Sequence, residues 1–261
     1  MPRPPQLAPL RLAAASHSWR IFIKAAQVID DSQQPLLTRT VAAFCLAAQM
    51  GAFAPSDRPA PARASVRNVR FNDNDAEFEV GLEGIDQRSF QVLRQMLCGL
   101  RTEDLTVVAI TIAGPGLALQ QGPVPSSIAQ FEADEESIYP RLIAGAPLRG
   151  DDTGGFSIGA RLRRCEVTVD ERVTTSHLDA LREIAYAWFS LLECGGYALP
   201  VEMPWAVNNV GGAINPFDVN SLELTVYKFE SSEQAWFSLA NMIHLTGPSL
   251  GLRATEIRVN D

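Results

Sequence analysis

Displaced against itself by 145 to 147 residues, this chain of 261 residues aligns four elements in the same order. A self-similarity of that period constrains the fold more than any motif within it. Trp19–Lys24 falls on Cys165–Asp170, both alternating apolar and polar with the two-residue period of a half-buried strand. Phe44, Leu46, Gly51 and Pro55 fall on Phe189, Leu191, Gly196 and Pro200. Each set closes a helical stretch with a glycine near the C-cap and a proline four residues on. Phe78, Val80 and Leu82 fall on Leu224, Val226 and Lys228. Phe90, Leu93, Met96 and Leu97 fall on Trp236, Leu239, Met242 and Ile243, spaced to share one helical face. The closing strands Leu105–Ile112 and Leu252–Val259 also correspond.

Local signals agree with this alignment. Ser176 with Asp179, and Ser231 with Gln234, have capping-box spacing, and Asp86 can cap the helix that carries Phe90. Leu178, Leu181, Ala185, Trp188, Phe189 and Leu192 give one helix a broad apolar stripe. The turn Asn72–Asp75 between Ser65–Phe71 and Ala76–Glu83 predicts a hairpin; the matching strand of the second copy is expected near Trp205–Val210. Each copy therefore reads β-α-β-β-α-β, an order that resembles the ferredoxin-like split βαβ unit. The expected fold class is α+β, with two tandem ferredoxin-like repeats packed as a pseudo-dimer. Residues 1–18 read as a flexible leader, 19–113 as the first repeat, 114–160 as a Gly- and Pro-rich acidic connecting loop and 161–261 as the second repeat. This architecture is shared by many unrelated proteins and carries no function by itself.

Composition narrows the function classes. Thirty acidic against twenty-two basic side chains give a net charge of −8, which argues against a nucleic-acid-coating protein even though Arg161, Arg163 and Arg164 cluster. The charge is uneven: +1 over residues 1–113, −4 over 114–160 and −5 over 161–261. No run reaches the eighteen apolar residues of a membrane helix. Pro2, Pro4, Pro5, Pro9 and Arg11 make the start a poor secretory core, so a cytoplasmic protein is expected. Cys45, Cys98, Cys165 and Cys194 lie among apolar neighbours without a CxxC pair, the pattern of buried free thiols.

The strand faces say where a ligand can meet the chain. Away from the helices the first copy presents Arg20, Phe22, Lys24, Glu77 and Glu79; the second presents Glu166, Thr168, Asp170, Glu223, Thr225 and Tyr227. Mixed charges of this kind are not the apolar lining of a cofactor pocket. On the closing strand, Val108, Ile110 and Ile112 are apolar on the side where the other strands are polar. A strand apolar on both faces is covered on both, so the second copy or a second chain is expected to pack there.

Chemical motifs are weak. Gly155, Ser157 and Gly159 fit a G-x-S-x-G elbow, and Asp218 and His244 follow in hydrolase order, but the serine follows a loop and precedes a strand, the reverse of what the elbow needs. His17, His177 and His244 have no partner at metal-ligand spacing; His177 reads as a surface residue beside a helix N-cap, and His244 as a residue of a last helical turn. Asp30 with Asp31, Asp151 with Asp152, and the Asn72–Asp75 turn lack the oxygen ladder of a calcium loop. No P-loop and no G-x-G-x-x-G occurs, and neither a metal nor a cofactor is expected.

The reading that follows is a non-enzymatic protein-binding module, with a bacterial immunity-type partner that neutralises a basic protein as one version. Glu132, Asp134, Glu135 and Glu136 are then candidate contacts for basic side chains. An alternative is a small-molecule-binding protein or enzyme of the dimeric α+β barrel kind, in which Phe22 and Tyr227 converge in a pocket. A further alternative is a structural subunit that uses Leu105–Ile112 as its contact.

Overall fold

The computed structural model describes residues 18–86, 89–102, 105–114, 117–118, 122–123, 143–150, 162–197, 210–227, 231–232 and 234–260. In the first half, β1 (Ser18–Ala25) buries Trp19, Ile21, Ile23 and Ala25 and exposes Arg20, Phe22 and Lys24. The chain turns into α1 (Gln34–Gln49) where the Asp30 carboxylate accepts the backbone N–H groups of Ser32 and Gln33, and Pro35 lies in the first turn. β2 (Arg63–Asn72) and β3 (Asp75–Glu83) form the expected hairpin, with Asp73 at φ +48°, a left-handed position that a short polar side chain tolerates. α2 (Ser89–Gly99), the short β4 (Arg101–Thr102) and β5 (Leu105–Gly114) complete the unit, and β6 (Leu117–Ala118) and β7 (Gly122–Pro123) pair on β5. The strands lie in the order β2-β3-β1-β5-β4.

The second half is also built of strands and helices around one sheet. β8 (Leu148–Gly150) precedes β9 (Leu162–Val169), α3 (Thr175–Glu193), β10 (Gly211–Asp218), β11 (Ser221–Tyr227), α4 (Gln234–Thr246), a 3-10 turn (Gly247–Leu250) and β12 (Ala254–Asn260). Its order is β10-β11-β9-β12-β8, with β8 running parallel to β12. The protein is thus a mixed α+β molecule, with four helices among the described residues and two similar sheets each built on four antiparallel strands.

The halves meet through their helices. α1 packs on α3, and Arg39 of α1 pairs with Glu193 at the end of α3. The Thr246 hydroxyl donates to the Met50 carbonyl at 2.7 Å. Gly51, at φ +91°, lets Leu245 lie against the chain: a Cβ there would stand 3.0 Å from its Cδ1. One continuous apolar core runs through both helical layers. Its aromatic centres are Trp19 with Phe90 (ring centroids 4.8 Å apart) and Trp188 with Trp236 (4.9 Å). The outer faces of both sheets point away from this core.

Four local expectations change. The closing strand is not apolar on both faces. Ile23 pairs with Ile110 and Ala25 with Val107, so two residues of β5 oppose one step of β1. This bulge resets the parity: Leu105, Val107, Ile110 and Ile112 are all buried on the helix side, and Val108 alone is turned out. The edge strand of the second half is Gly211–Asp218; the expected 205–209 lies outside the described residues. Pro216 reads as a strand breaker, yet an edge position tolerates a missing N–H. Counted from the hairpin turns, Val80 corresponds to Val226, and their partners on the neighbouring strands are Trp19 and Arg163. The first strand therefore aligns two residues away from the sequence expectation, with Ile21 rather than Trp19 at the place of Cys165. Lastly, α3 is capped by Thr174, not Ser176. His177 is no surface residue: it is 4% exposed. Its N–H donates to Thr174 Oγ1, its Nδ1 accepts the Thr174 N–H at 3.2 Å, and its Nε2 stands 3.4 Å from Glu171 Oε1.

Candidate functional site

The described surface includes the outer faces of the two sheets and a cleft. On the first sheet the register sets opposite charges side by side: Arg20 across from Glu79, Lys24 from Asp75, Arg70 from Glu77 and Arg63 from Glu83. Arg20 also approaches Glu77 at 3.8 Å, Arg63 approaches Glu83 at 3.8 Å, and the Ser18 hydroxyl donates to Glu79 at 2.7 Å. Such cross-strand pairs satisfy one another. Phe22 and Val108 are the large apolar side chains exposed on this face.

The second sheet is arranged differently. Glu166 of β9 lies directly across from Glu223 of β11, a like-charge pair that costs stability in a free sheet face. The Thr225 hydroxyl donates to Glu223 Oε1 at 3.0 Å, and Arg258 on β12 pairs with Glu256 of its own strand at 3.1 Å. At one end of the face Tyr227 lies across from Leu162, and at the other Phe217 and Val219 project around the hairpin tip. Phe217 is turned out by a second bulge, between Pro216 and Asp218. Arg258 lies across from Glu166 on its other side and Arg164 across from Thr225, so the middle of the face carries mixed charge between apolar ends.

The cleft lies at the start of the β2 edge, with a volume of about 430 Å³, between Gln49, Arg63, Ser65, Arg67, Gly81 and Glu83. Arg67 lies flat over Gly81, where a Cβ would come within 2.7 Å of the guanidinium.

The residues singled out from the sequence fall as follows. Phe22 and Tyr227 sit on different sheets, each on the face turned away from the helices. Asp218 is exposed at the hairpin tip, where its carboxylate accepts the Val219 N–H at 2.7 Å; His244 lies in the last turn of α4. No hydrogen bond joins Asp218 and His244 among the described residues. Ser157, Glu132, Asp134, Glu135 and Glu136 lie outside those residues. Among the described residues no cluster of His, Cys, Asp and Glu could hold a metal ion. Burial pushes the Cys45 and Cys165 thiols up to about 12, and raises that of Cys194, so none of the three supplies a thiolate nucleophile. No described helix is long and apolar enough to cross a membrane.

Leu162, Phe217 and Val219 were not legible as surface contacts. Leu162 becomes one only through its register with Tyr227, and Phe217 only through the bulge. The hairpin turn before Ser221 was the one available signal for Val219.

No protein-family pattern matches the chain, and no curated protein matches it. Among solved structures, a mutant of the ferredoxin protease FusC in complex with Arabidopsis ferredoxin is 10% identical, with a TM-score of 0.23, over 88% of this chain and 33% of that one. The chain thus spans about a third of that protease. A mutant chlorite dismutase from Candidatus Nitrospira defluvii is also 10% identical, with a TM-score of 0.22, over 87% of this chain and 82% of that one. Likeness at this level bears on neither site nor activity.

Proposed function

We propose that the chain is a tandem pair of ferredoxin-like units, packed helix to helix as a pseudo-dimer, and that it works in the cytoplasm as a non-enzymatic protein-binding module. The outer face of the second sheet receives a basic partner. An immunity-type role, in which that partner is neutralised, is the version of this reading that the acidic charge suits best. The observation that carries it is the Glu166–Glu223 pair, set directly across adjacent strands on the outer face, with Arg258 across from Glu166 on its other side and the exposed Tyr227 and Leu162 beyond the Arg164–Thr225 step. A cationic side chain between two like charges relieves their repulsion, so binding recovers a cost that the free protein bears. The exposed aromatic and aliphatic ends supply the apolar anchors around which interface energy concentrates.

The acidic run at Glu132, Asp134, Glu135 and Glu136 is a second element of the proposal, adding charge to the same side of the binding balance. The test is a pull-down from the source organism's lysate, eluted with rising salt, comparing the native protein with E166K/E223K and with a variant reversed at the four acidic-run positions. A stoichiometric basic protein released by salt, and lost from E166K/E223K, is the expected result. Capture that is unchanged in E166K/E223K removes the sheet face from the proposal; capture unchanged in the fourfold variant removes the acidic run.

A further inference from the structure

Among the described residues each sheet has one long edge strand, β2 in the first and β10 in the second; the opposite edges are the short β4 and β8. The two long edges are not equivalent. β10 opens with Gly211 and Gly212, carries Pro216, which has no N–H to offer, and ends in a bulge at Phe217; such features discourage a further strand. β2 runs for ten residues without proline or glycine, and its own bulge, at Arg67 between Val66 and Asn68, lies towards β3. Gln49 already holds the Ala64 carbonyl, so the open part of the edge extends from Ser65 to Asn72.

Charge specifies what that edge fits. Across the first sheet the strands alternate in sign: β1 carries Arg20 and Lys24, β3 carries Asp75, Glu77, Glu79 and Glu83, and β2 carries Arg63, Arg67 and Arg70. Every acidic residue of β3 lies directly across from a cation on one side or the other. The next strand in that series is acidic. The cleft at the start of the edge, with Arg67 held over the sheet by Gly81, gives such a strand room to begin.

We propose that β2 accepts an extended acidic segment of a partner protein as an added strand, with its main chain on the Ser65–Asn72 edge and its carboxylates beside Arg67 and Arg70. This surface is separate from the second sheet's outer face and prefers the opposite charge. Main-chain hydrogen bonds supply affinity in strand addition and alternate side chains supply selectivity. The arginines have a second possible role, since charged side chains and a bulge also protect an edge from pairing; the experiment separates the two.

The probe is a ten-residue end-capped peptide alternating Glu with Thr, compared with its Lys-for-Glu counterpart, titrated against the full chain while amide hydrogen exchange is followed. The Glu peptide is expected to slow exchange within Ser65–Asn72, with affinity falling as salt rises, while the Lys peptide has no effect. R67E/R70E is expected to weaken the Glu peptide by about tenfold or more and to bind the Lys peptide instead. No slowing on β2 at millimolar Glu peptide, or binding without slowing there, overturns strand addition. Equal binding of the Glu peptide by R67E/R70E, with the native β2–β3 exchange pattern retained, overturns its electrostatic selection. Loss of the Glu peptide with no gain of the Lys peptide overturns the selection too.

Discussion

The same place in the two halves is filled by opposite chemistry. In the first, Trp19 reaches the first turn of α2 and stacks its ring on Phe90, and the nearby Ser89 hydroxyl is engaged by the Asp86 carbonyl. In the second, the corresponding strand position is Arg163, 4% exposed, and α4 begins beside Ser231 and Ser232, both more than nine-tenths buried. Trp236 stands where Phe90 stands, but its ring partner is Trp188, from the long helix α3. The first half closes this end of its sheet with apolar packing; the second closes it with polar groups and moves its aromatic stack to the helix layer. The two sheets are similar in their strand pairing, and the side chains at these paired positions differ. The outer faces differ as well: on the first sheet every acidic residue of β3 lies across from a cation, whereas on the second Glu166 has Arg258 on one side and Glu223 on the other.

The comparison is easiest to break at Trp19. Trp19→Ala leaves a cavity at the centre of the first half's core and is expected to lower unfolding stability by about 3–5 kcal/mol in urea titration. Trp19→Arg, which imports the second half's residue, is expected to cost at least as much, because the apolar surroundings of Phe90 and Phe44 hold no partner for a charge. A well-tolerated Trp19→Arg would mean that the two positions are interchangeable and the contrast is accidental.

A smaller effect sharpens the helix side of the second half. At Gly212 a Cβ would meet Phe189 Cζ at 2.4 Å and the Thr225 carbonyl at 2.6 Å, while at Gly211 nothing lies within 4 Å. Gly212→Ala is expected to cost about 1–3 kcal/mol by overpacking, and Gly211→Ala to be neutral or mildly stabilising. Equal effects would show that α3 does not press on β10 as described. Next in size is the α3 cap. His177→Ala is expected to cost about 1 kcal/mol, whereas His177→Gln, which restores the usual capping-box partner, keeps most of that stability. If both fall equally in thermal or chemical unfolding, the ring is there for packing alone.

The smallest effect lies at the start of α1, where Asp30 accepts backbone N–H groups directly; at the start of α3 the carboxylate in the same position, Glu171, approaches the His177 ring instead. The hydrogen bonds from the Ser32 side chain and backbone hold the Asp30 carboxyl below its ordinary value of 3.8. Its contribution is therefore fully present above that value and fades as pH falls through the lowered one. The carboxyl resonance of Asp30 is expected to titrate below the usual aspartate midpoint, and to move part of the way back in Ser32→Ala, which keeps the backbone donors.

How much of this was readable beforehand depended on whether the signal was local. Alternation in β1 and β9, the Asn72–Asp75 turn and the apolar stripe of α3 are set by neighbours a few residues apart, and those elements appear where the pattern puts them. The β5 bulge was hidden because one extra residue swaps faces without changing composition: Val108, Ile110 and Ile112 look like one stripe until the pairing with β1 is known. The two-residue offset of the first strands was hidden for a related reason, since a shift of two keeps every side chain on its face. His177 escaped because a histidine is not the usual third-position partner of a capping threonine. The acidic face of the second sheet was half legible: Glu166 and Glu223 were assigned to it, but their direct opposition is a matter of register.

The contacts that join the halves link residues far apart in the chain: Arg39 with Glu193 across 154 positions and Met50 with Thr246 across 196. Synthesis runs from one end to the other, so the first half emerges while the partner of its α1 surface does not yet exist. Until α3 and Leu245 have left the ribosome, that apolar layer stands open to solvent and to other nascent chains. The seam that gives the finished molecule one core thus sets a waiting time in its biogenesis, and chaperone engagement during translation is expected to end only when the last helix is complete.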